Sequence, residues 1–290
     1  MTYGKLINVG EAKLNVYTEG NSDTTIIFMA GSGVSTPGLE YKPLYSLMSK
    51  QYRIAVVEKS GYGLSESTGT QRTVENIVEE SRLALKNAGI LPPYVLAPHS
   101  YSGLEAIWWA NTYPDEVKAL LSIDMIVPNM ALAQAEEISE EKKASMVESS
   151  KRLYKKIAKQ GFLAKLFKNK TENVSGMLTS NYLTDEEKQL YREMFYKNLL
   201  HEETFEEALK ATDNAKTVVA TGNLKAPAFF FISDMKSPVK KTTWRKASTE
   251  YAQSIGAEYE YTDAGHTMYA KIPQDMAKKH LEFLSKLNIK

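Results

Sequence analysis

The chain has no cysteine, which excludes a disulfide framework, a thiol nucleophile and a thiolate metal site together. It has almost no net charge: 36 Lys and Arg against 35 Asp and Glu leave a formal +1. With no segregated basic stripe, that balance argues against nucleic acid as a partner. No apolar run is long enough to cross a bilayer, and the N-terminal MTYGKLINVGEAKLNVY lacks the continuous apolar core of a secretion signal. A cytoplasmic protein without a membrane span is expected. Histidine is scarce, with four in 290 residues, so candidates for a general base are quickly enumerated. At this length one core with a sizeable insertion is the natural expectation, and such a core buries its apolar surface without covalent staples.

What is present is an alternation of strand-like and helix-like segments. KLINV and KLNVY flank a turn at Gly10-Glu11 and read as a hairpin. TTIIFMA, RIAVVE and YVLAP are short buried-type runs, separated by helical patterns over Leu39 to Met48 and Val74 to Ala88. A helix over Leu104 to Thr112 and the strand VKALLSID follow. From Val127-Pro128 to about Asn223 the pattern becomes helical and charged, with a capping-box start at Thr184-Asp185-Glu186-Glu187. The earlier rhythm then resumes with APAFFFIS, a helix over Thr242 to Ile255, EYEYTDA and a closing helix from Pro273 to Leu287. This order predicts an α/β fold: a mostly parallel central sheet with helices on both faces. The core takes 1–127 and 224–290, and 128–223 forms an inserted helical cap.

Ser100 stands in APHSYSGLEA, between the apolar run Tyr94–Ala97 and the helical pattern that starts at Leu104. A serine on a tight strand-to-helix turn is the layout of a nucleophile elbow. Pro98 and Ser102 occupy the flanking places where glycines are usual. Ser102 is nearly as small, and a proline's missing N–H is tolerable at the last residues of a strand. A serine hydroxyl needs an imidazole to take its proton and a third group to orient that ring. Of the four histidines, His280 in Lys278-Lys279-His280-Leu281 is expected on a solvated face, and His201 in LLHEE at the surface. His99 should point away from the Ser100 face, by alternation, into a packing or hydrogen-bonding role. His266 follows Ala264-Gly265 directly after the last strand, at the edge where open α/β sheets bind ligands, and is assigned as the base. The N–H of Tyr101, next after the serine, is the first oxyanion donor. Trp108-Trp109 are expected to pack.

Five segments in order resemble the α/β-hydrolase fold superfamily: IIFMAGSG, VVEKSGYGLSE, PHSYSG, YPDEVKALLSID and DAGHTMY. The resemblance makes the N–H of Ser32 the second oxyanion donor and assigns Glu58, with Gly61 and Gly63, a structural role in the second segment. It allows two positions for the acid of the triad. The commoner lies in the turn after APAFFFIS, where Asp234 stands two positions early. The other lies after the preceding strand, as in relatives resembling the haloalkane dehalogenases, where Asp124 stands 24 residues past Ser100. Asp124 is preferred, with Asp234 the alternative acid. The resemblance implies a serine hydrolase that cleaves a carboxylic ester or related acyl bond of a small molecule through an acyl-enzyme, without cofactor or metal. A C–C hydrolase, an aminopeptidase-like hydrolase with the same triad, and a slow-turnover ligand receptor are the alternatives. A dehalogenase is disfavoured because it needs a carboxylate where Ser100 stands.

Overall fold

The structure is a computed structural model that describes residues 3–164, 175–198, 201–236 and 242–290, the side chains of 157–164 excepted. Eight strands form one sheet: β1 (Lys5–Val9), β2 (Ala12–Glu19), β3 (Thr25–Met29), β4 (Arg53–Val57), β5 (Tyr94–Ser100), β6 (Val117–Met125), β7 (Ala228–Ile232) and β8 (Glu258–Tyr261). Their order is β1-β2-β4-β3-β5-β6-β7-β8. β2 runs antiparallel to β1 and β4, and every later pairing is parallel. The helices are α1 (Pro37–Glu40), α2 (Lys42–Met48), α3 (Val74–Asn87), α4 (Ser102–Thr112), α5 (Pro128–Glu137), α6 (Glu140–Ala164), α7 (Asp185–Asn198), α8 (Glu202–Ala220), α9 (Trp244–Ser254), α10 (Met268–Lys271) and α11 (Pro273–Lys286).

Strand alternation divides the apolar residues between two cores. Ile27, Ala55, Leu96, Leu120 and Phe230 face α3, α4 and α9, where Val78, Leu85, Leu104, Trp109 and Ala247 complete the layer. Ile26, Phe28, Val56, Val95 and Leu121 face the other way, against Leu44 and Met48 of α2 and Met276, Phe283 and Leu284 of α11. The single helix expected from Leu39 to Met48 is two, broken at Tyr41. Pro43 explains the break, because it has no N–H to offer the carbonyl four residues earlier. The predicted capping box forms in full: Glu187 N–H donates to Thr184 Oγ1 at 3.2 Å, and Thr184 N–H donates to the Glu187 carboxylate at 2.9 Å.

Helices α5 to α8 are inserted between β6 and β7, and residues 165–174 and 199–200 of this stretch lie outside those described. α8 packs on α3, α4 and α5, and α5 also meets α9. No helix among the described residues is long and apolar enough to cross a membrane.

His280 is not on a solvated face. It is fully buried against Phe229 and Phe231, with ring centroids 5.9 and 5.3 Å away, and neither ring nitrogen has a partner among the described residues. Burial lowers its pKa from the ordinary 6.5 to about 3. Between those values the unfolded chain takes up a proton that the folded chain refuses. This contribution to stability is therefore whole above pH ~6.5 and is lost as pH falls toward 3, at about 1.4 kcal/mol per pH unit. Denaturant titrations of wild type and His280→Leu at about pH 7, 5 and 4 should show a flatter pH dependence in the variant. Equal slopes would mean that His280 protonates in the folded state.

Candidate active site

Ser100 ends β5 with φ 54°, and Asp124, near the end of β6, also has φ 54°. A non-glycine residue in this left-handed region costs on the order of 1–3 kcal/mol and persists only when its surroundings fix it. The surroundings of Ser100 are tight. An added Cβ on Gly31 would lie 2.7 Å from Ser100 Cβ, and one on Gly103 would lie 2.2 Å from the carbonyl oxygen of Ile126. The turn after β3 is thus pressed onto the serine, and the start of α4 onto the end of β6. The crowded place on α4 is Gly103, one residue later than the usual small position, so the serine at 102 is accommodated. Ser102 Oγ also accepts from His99 N–H and donates toward the carbonyl of Met29 or of His99, each at 2.9 Å. It pins the end of β5 to the end of β3, as a glycine could not.

Asp124 is fully buried and accepts four hydrogen bonds. Oδ1 receives Ser233 N–H at 2.9 Å and Trp244 Nε1–H at 2.7 Å. Oδ2 receives Ser233 Oγ–H at 2.7 Å and lies 2.6 Å from His266 Nδ1. All the lone pairs that face donors are used, so the carboxylate cannot rotate without losing several bonds at once. Because this carboxylate accepts from Nδ1–H, the other ring nitrogen of His266, Nε2, is left to accept a proton. The His266 side chain is about a quarter exposed. The alternative acid, Asp234, is exposed, and its side chain makes no hydrogen bond among the described residues. The turn in which it lies contributes Ser233 instead, as a double donor to Asp124.

His99 does not point away. It keeps the strand alternation, on the face of Val95 and Ala97 beside Tyr41 and Tyr269, but the His266 loop lies over that same face, with the two imidazole ring centroids 4.6 Å apart. His99 Nε2 is 3.1 Å from the carbonyl of His266, and its Nδ1 is 3.0 Å from Tyr41 Oη. A carbonyl only accepts, so Nε2 carries the proton and Nδ1 accepts from Tyr41. Burial first, then the neighbouring His266, hold the His99 pKa well below the ordinary range. His99 is thus a neutral prop beneath the His266 loop. His201 is partly exposed, 3.3 Å from Glu203.

The turn after β3 presents three successive amides. Gly31 N–H donates to Tyr41 Oη at 3.3 Å and Gly33 N–H to Tyr62 Oη at 3.2 Å. The amide between them, Ser32 N–H, makes no hydrogen bond among the described residues, and neither does that of Tyr101, the residue that caps α4. Two unspent donors thus flank Ser100, one of them at the positive end of a helix. Glu58 is buried away from these groups and accepts from Leu64 N–H at 2.8 Å, Asn15 Nδ2 at 3.1 Å and Gly38 N–H at 3.3 Å, with Tyr3 Oη beside it. It ties the loop after β4 to the N-terminal hairpin. Trp109 is buried in the α4 core with Nε1 donating to Glu116 at 2.8 Å.

Trp244 as a donor to Asp124 had no local signal in the sequence, because it stands 120 residues from the group it serves. A cavity of about 900 Å³ opens between the β1–β2 turn and α3, lined by Gly10, Glu79, Leu83 and Leu91, but Ser100, Asp124 and His266 do not border it. Among the described residues no group of three or more His, Asp or Glu side chains is arranged to hold a metal ion.

No family model matches the chain. It is 32% identical over 290 residues to the uncharacterized protein YbdG of Bacillus subtilis, covering 98% of this chain and 86% of that protein. A shorter match, 29% identical over 111 residues, relates 36% of this chain to 37% of the cis-3-alkyl-4-alkyloxetan-2-one decarboxylase of Xanthomonas campestris. Among solved structures, a proposed epoxide hydrolase from Pseudomonas aeruginosa superposes with TM-score 0.74 at 15% identity, covering 98% of this chain and 95% of that one. A loop variant of a haloalkane dehalogenase from Bradyrhizobium elkanii superposes with TM-score 0.63 at 15% identity, covering 98% and 96%. Identity at that level speaks for the fold, and the whole-length match to YbdG for kinship. The chain has the α/β-hydrolase fold and belongs to one family with YbdG.

Proposed function

We propose that the protein is a serine hydrolase that cleaves a carboxylic ester, or a related acyl bond, of a small molecule through an acyl-enzyme. Ser100 is the nucleophile, His266 the base and Asp124 the orienting acid, with the amides of Ser32 and Tyr101 as the oxyanion hole. The observation that carries this reading is the saturated Asp124 carboxylate at 2.6 Å from His266 Nδ1, on the same sheet edge as a serine at φ 54°. Elsewhere in the protein a buried carboxylate could be a structural fixture. Here one of its four bonds is given to a partly exposed imidazole, an arrangement suited to proton transfer at Nε2.

The steps follow from that arrangement. Ser100 Oγ forms a bond to the substrate's acyl carbon while its proton passes to His266 Nε2. Negative charge collects on the acyl oxygen and is met by the Ser32 and Tyr101 amides, which need no reorganisation. Asp124 stabilises the imidazolium through Nδ1 without taking its proton. Collapse of the tetrahedral intermediate breaks the bond to the leaving alkoxide, which receives the proton from Nε2. Water, deprotonated by the same nitrogen, then attacks the acyl-enzyme and releases the acid. Helices α5 to α8 serve as a cap: α8 reaches the turn after β3 through Ser32 Oγ, 3.5 Å from the carbonyl of Thr204, so the insertion borders the space over Ser100.

A fluorophosphonate probe should label the wild-type protein, and Ser100→Ala should abolish labelling while leaving the thermal transition in place. Full labelling of the alanine variant would remove Ser100 from the mechanism. Asp124→Asn should lower turnover of p-nitrophenyl esters by several orders of magnitude, on the order of 10⁴ as in the best-studied triad, whereas Asp234→Asn should change it little. The reverse ranking in a side-by-side kcat measurement would transfer the acid role to Asp234.

A further inference from the structure

Two tyrosines lead from the oxyanion amides to the same helix. Gly33 N–H, adjacent to the Ser32 amide, donates to Tyr62 Oη, and Tyr62 Oη–H donates to Glu207 Oε2 at 3.0 Å. Tyr101, whose amide is the other donor, has its hydroxyl 2.7 Å from Asn214 Nδ2. Glu207 and Asn214 both belong to α8 and are seven residues apart, two turns along one helical face. Both are buried, and so are Tyr62 and Tyr101. Asn214 is itself held at both ends of its amide, with Oδ1 accepting from Val74 N–H at 3.0 Å and Nδ2 donating to the carbonyl of Arg72 at 3.1 Å.

The same face of α8 carries a buried ion cluster. Lys59 Nζ lies 2.9 Å from Glu207 and 3.0 Å from Glu105, and none of the three side chains is more than 3% exposed. Glu105 stands in the first turn of α4, five residues past Ser100. Burial alone would discharge Lys59, but Glu105 and Glu207 outweigh it and hold the ammonium well above its ordinary range. Lifting α8 would strip Lys59 of one carboxylate inside a region from which water is excluded, and breaking a buried pair in this way is strongly unfavourable.

Building on the serine-hydrolase reading, we propose that α8 is a fixed wall of the site rather than a moving lid, and that Glu207 and Asn214 are positioning residues that hold the two oxyanion amides in register through Tyr62 and Tyr101. The donors are backbone amides, so deleting either tyrosine hydroxyl removes no donor and cuts only the tether that places it. A tether of this kind controls donor placement in the transition state and leaves ground-state affinity alone. Its loss appears in kcat and not in KM.

The test compares wild type, Tyr62→Phe, Tyr101→Phe and Asn214→Leu with Val218→Ala. Val218 is a buried residue of the same helix whose apolar side chain takes no part in the hydrogen bonds of either tether, so its truncation loosens α8 and leaves those bonds intact. Fluorophosphonate labelling rates and kcat for p-nitrophenyl acetate should fall about tenfold or more in the three tether variants, as expected for displaced oxyanion donors, with KM held within about twofold. Val218→Ala should lower Tm and leave both rates unchanged. Near wild-type rates in the tether variants, or an equal slowing in Val218→Ala, would overturn the role of α8. A wild type that is not labelled at all, or a Ser100→Ala variant that is, would instead bring down the serine-hydrolase reading, and this inference with it.

Discussion

One buried carboxylate organises the site. Asp124 draws a bond from Trp244 at the start of α9, two from Ser233 after β7 and one from His266 after β8. A charge taken out of water needs this number of donors, because each one missing would leave part of its desolvation uncompensated. The requirement fixes the geometry of everything around it. Ser233 sets the turn after β7, Trp244 sets the start of α9, and together they leave one lone-pair direction for the imidazole. The strained backbone of Asp124, φ 54°, is held by the same set of bonds.

The turn after β3, assigned to the oxyanion hole in the proposed mechanism, is built on a different principle. There the polar groups around the site are satisfied so that two of them stay free. Tyr41 and Tyr62 take the amides of Gly31 and Gly33, which leaves that of Ser32 between them unspent. Tyr41 in turn donates a hydrogen bond to His99, whose opposite nitrogen donates to the carbonyl of His266. The turn that carries the Ser32 amide and the loop that carries His266 are thus joined through two buried side chains, Tyr41 and His99. Tyr62 joins the same turn to α8 through Glu207, and Tyr101, the residue after Ser100, reaches α8 through Asn214. In the proposed mechanism these contacts fix the Ser32 and Tyr101 amides before substrate arrives, as a preorganised site demands.

Much of this was legible in the sequence where the signal is local. Alternating apolar runs located all eight strands, and the elbow around Ser100 was readable from a strand, a serine and a helix in succession. The break between α1 and α2 was missed although Pro43 marks it, since a proline inside a helical pattern removes a bond that the pattern assumes. His280 was misplaced because Lys278 and Lys279 precede it. Yet Met276, His280, Phe283 and Leu284 recur at helical spacing, and that stripe faces the core. The contributions of Ser233, Trp244, Glu207 and Asn214 were not legible, because each depends on partners more than a hundred residues away. Glu105 carried a faint mark as the one charge in the otherwise apolar run LEAIWWA.

The central claim is that Ser100 carries the acyl group during turnover. Its most direct test is to mix the protein with p-nitrophenyl acetate, quench in acid within the first turnovers and map the modified peptide by mass spectrometry. The account predicts one acetyl group on Ser100, accumulating with a burst of p-nitrophenol and disappearing as substrate is exhausted. Steady hydrolysis with Ser100 unmodified throughout, or an acetyl group carried by another residue, would contradict it.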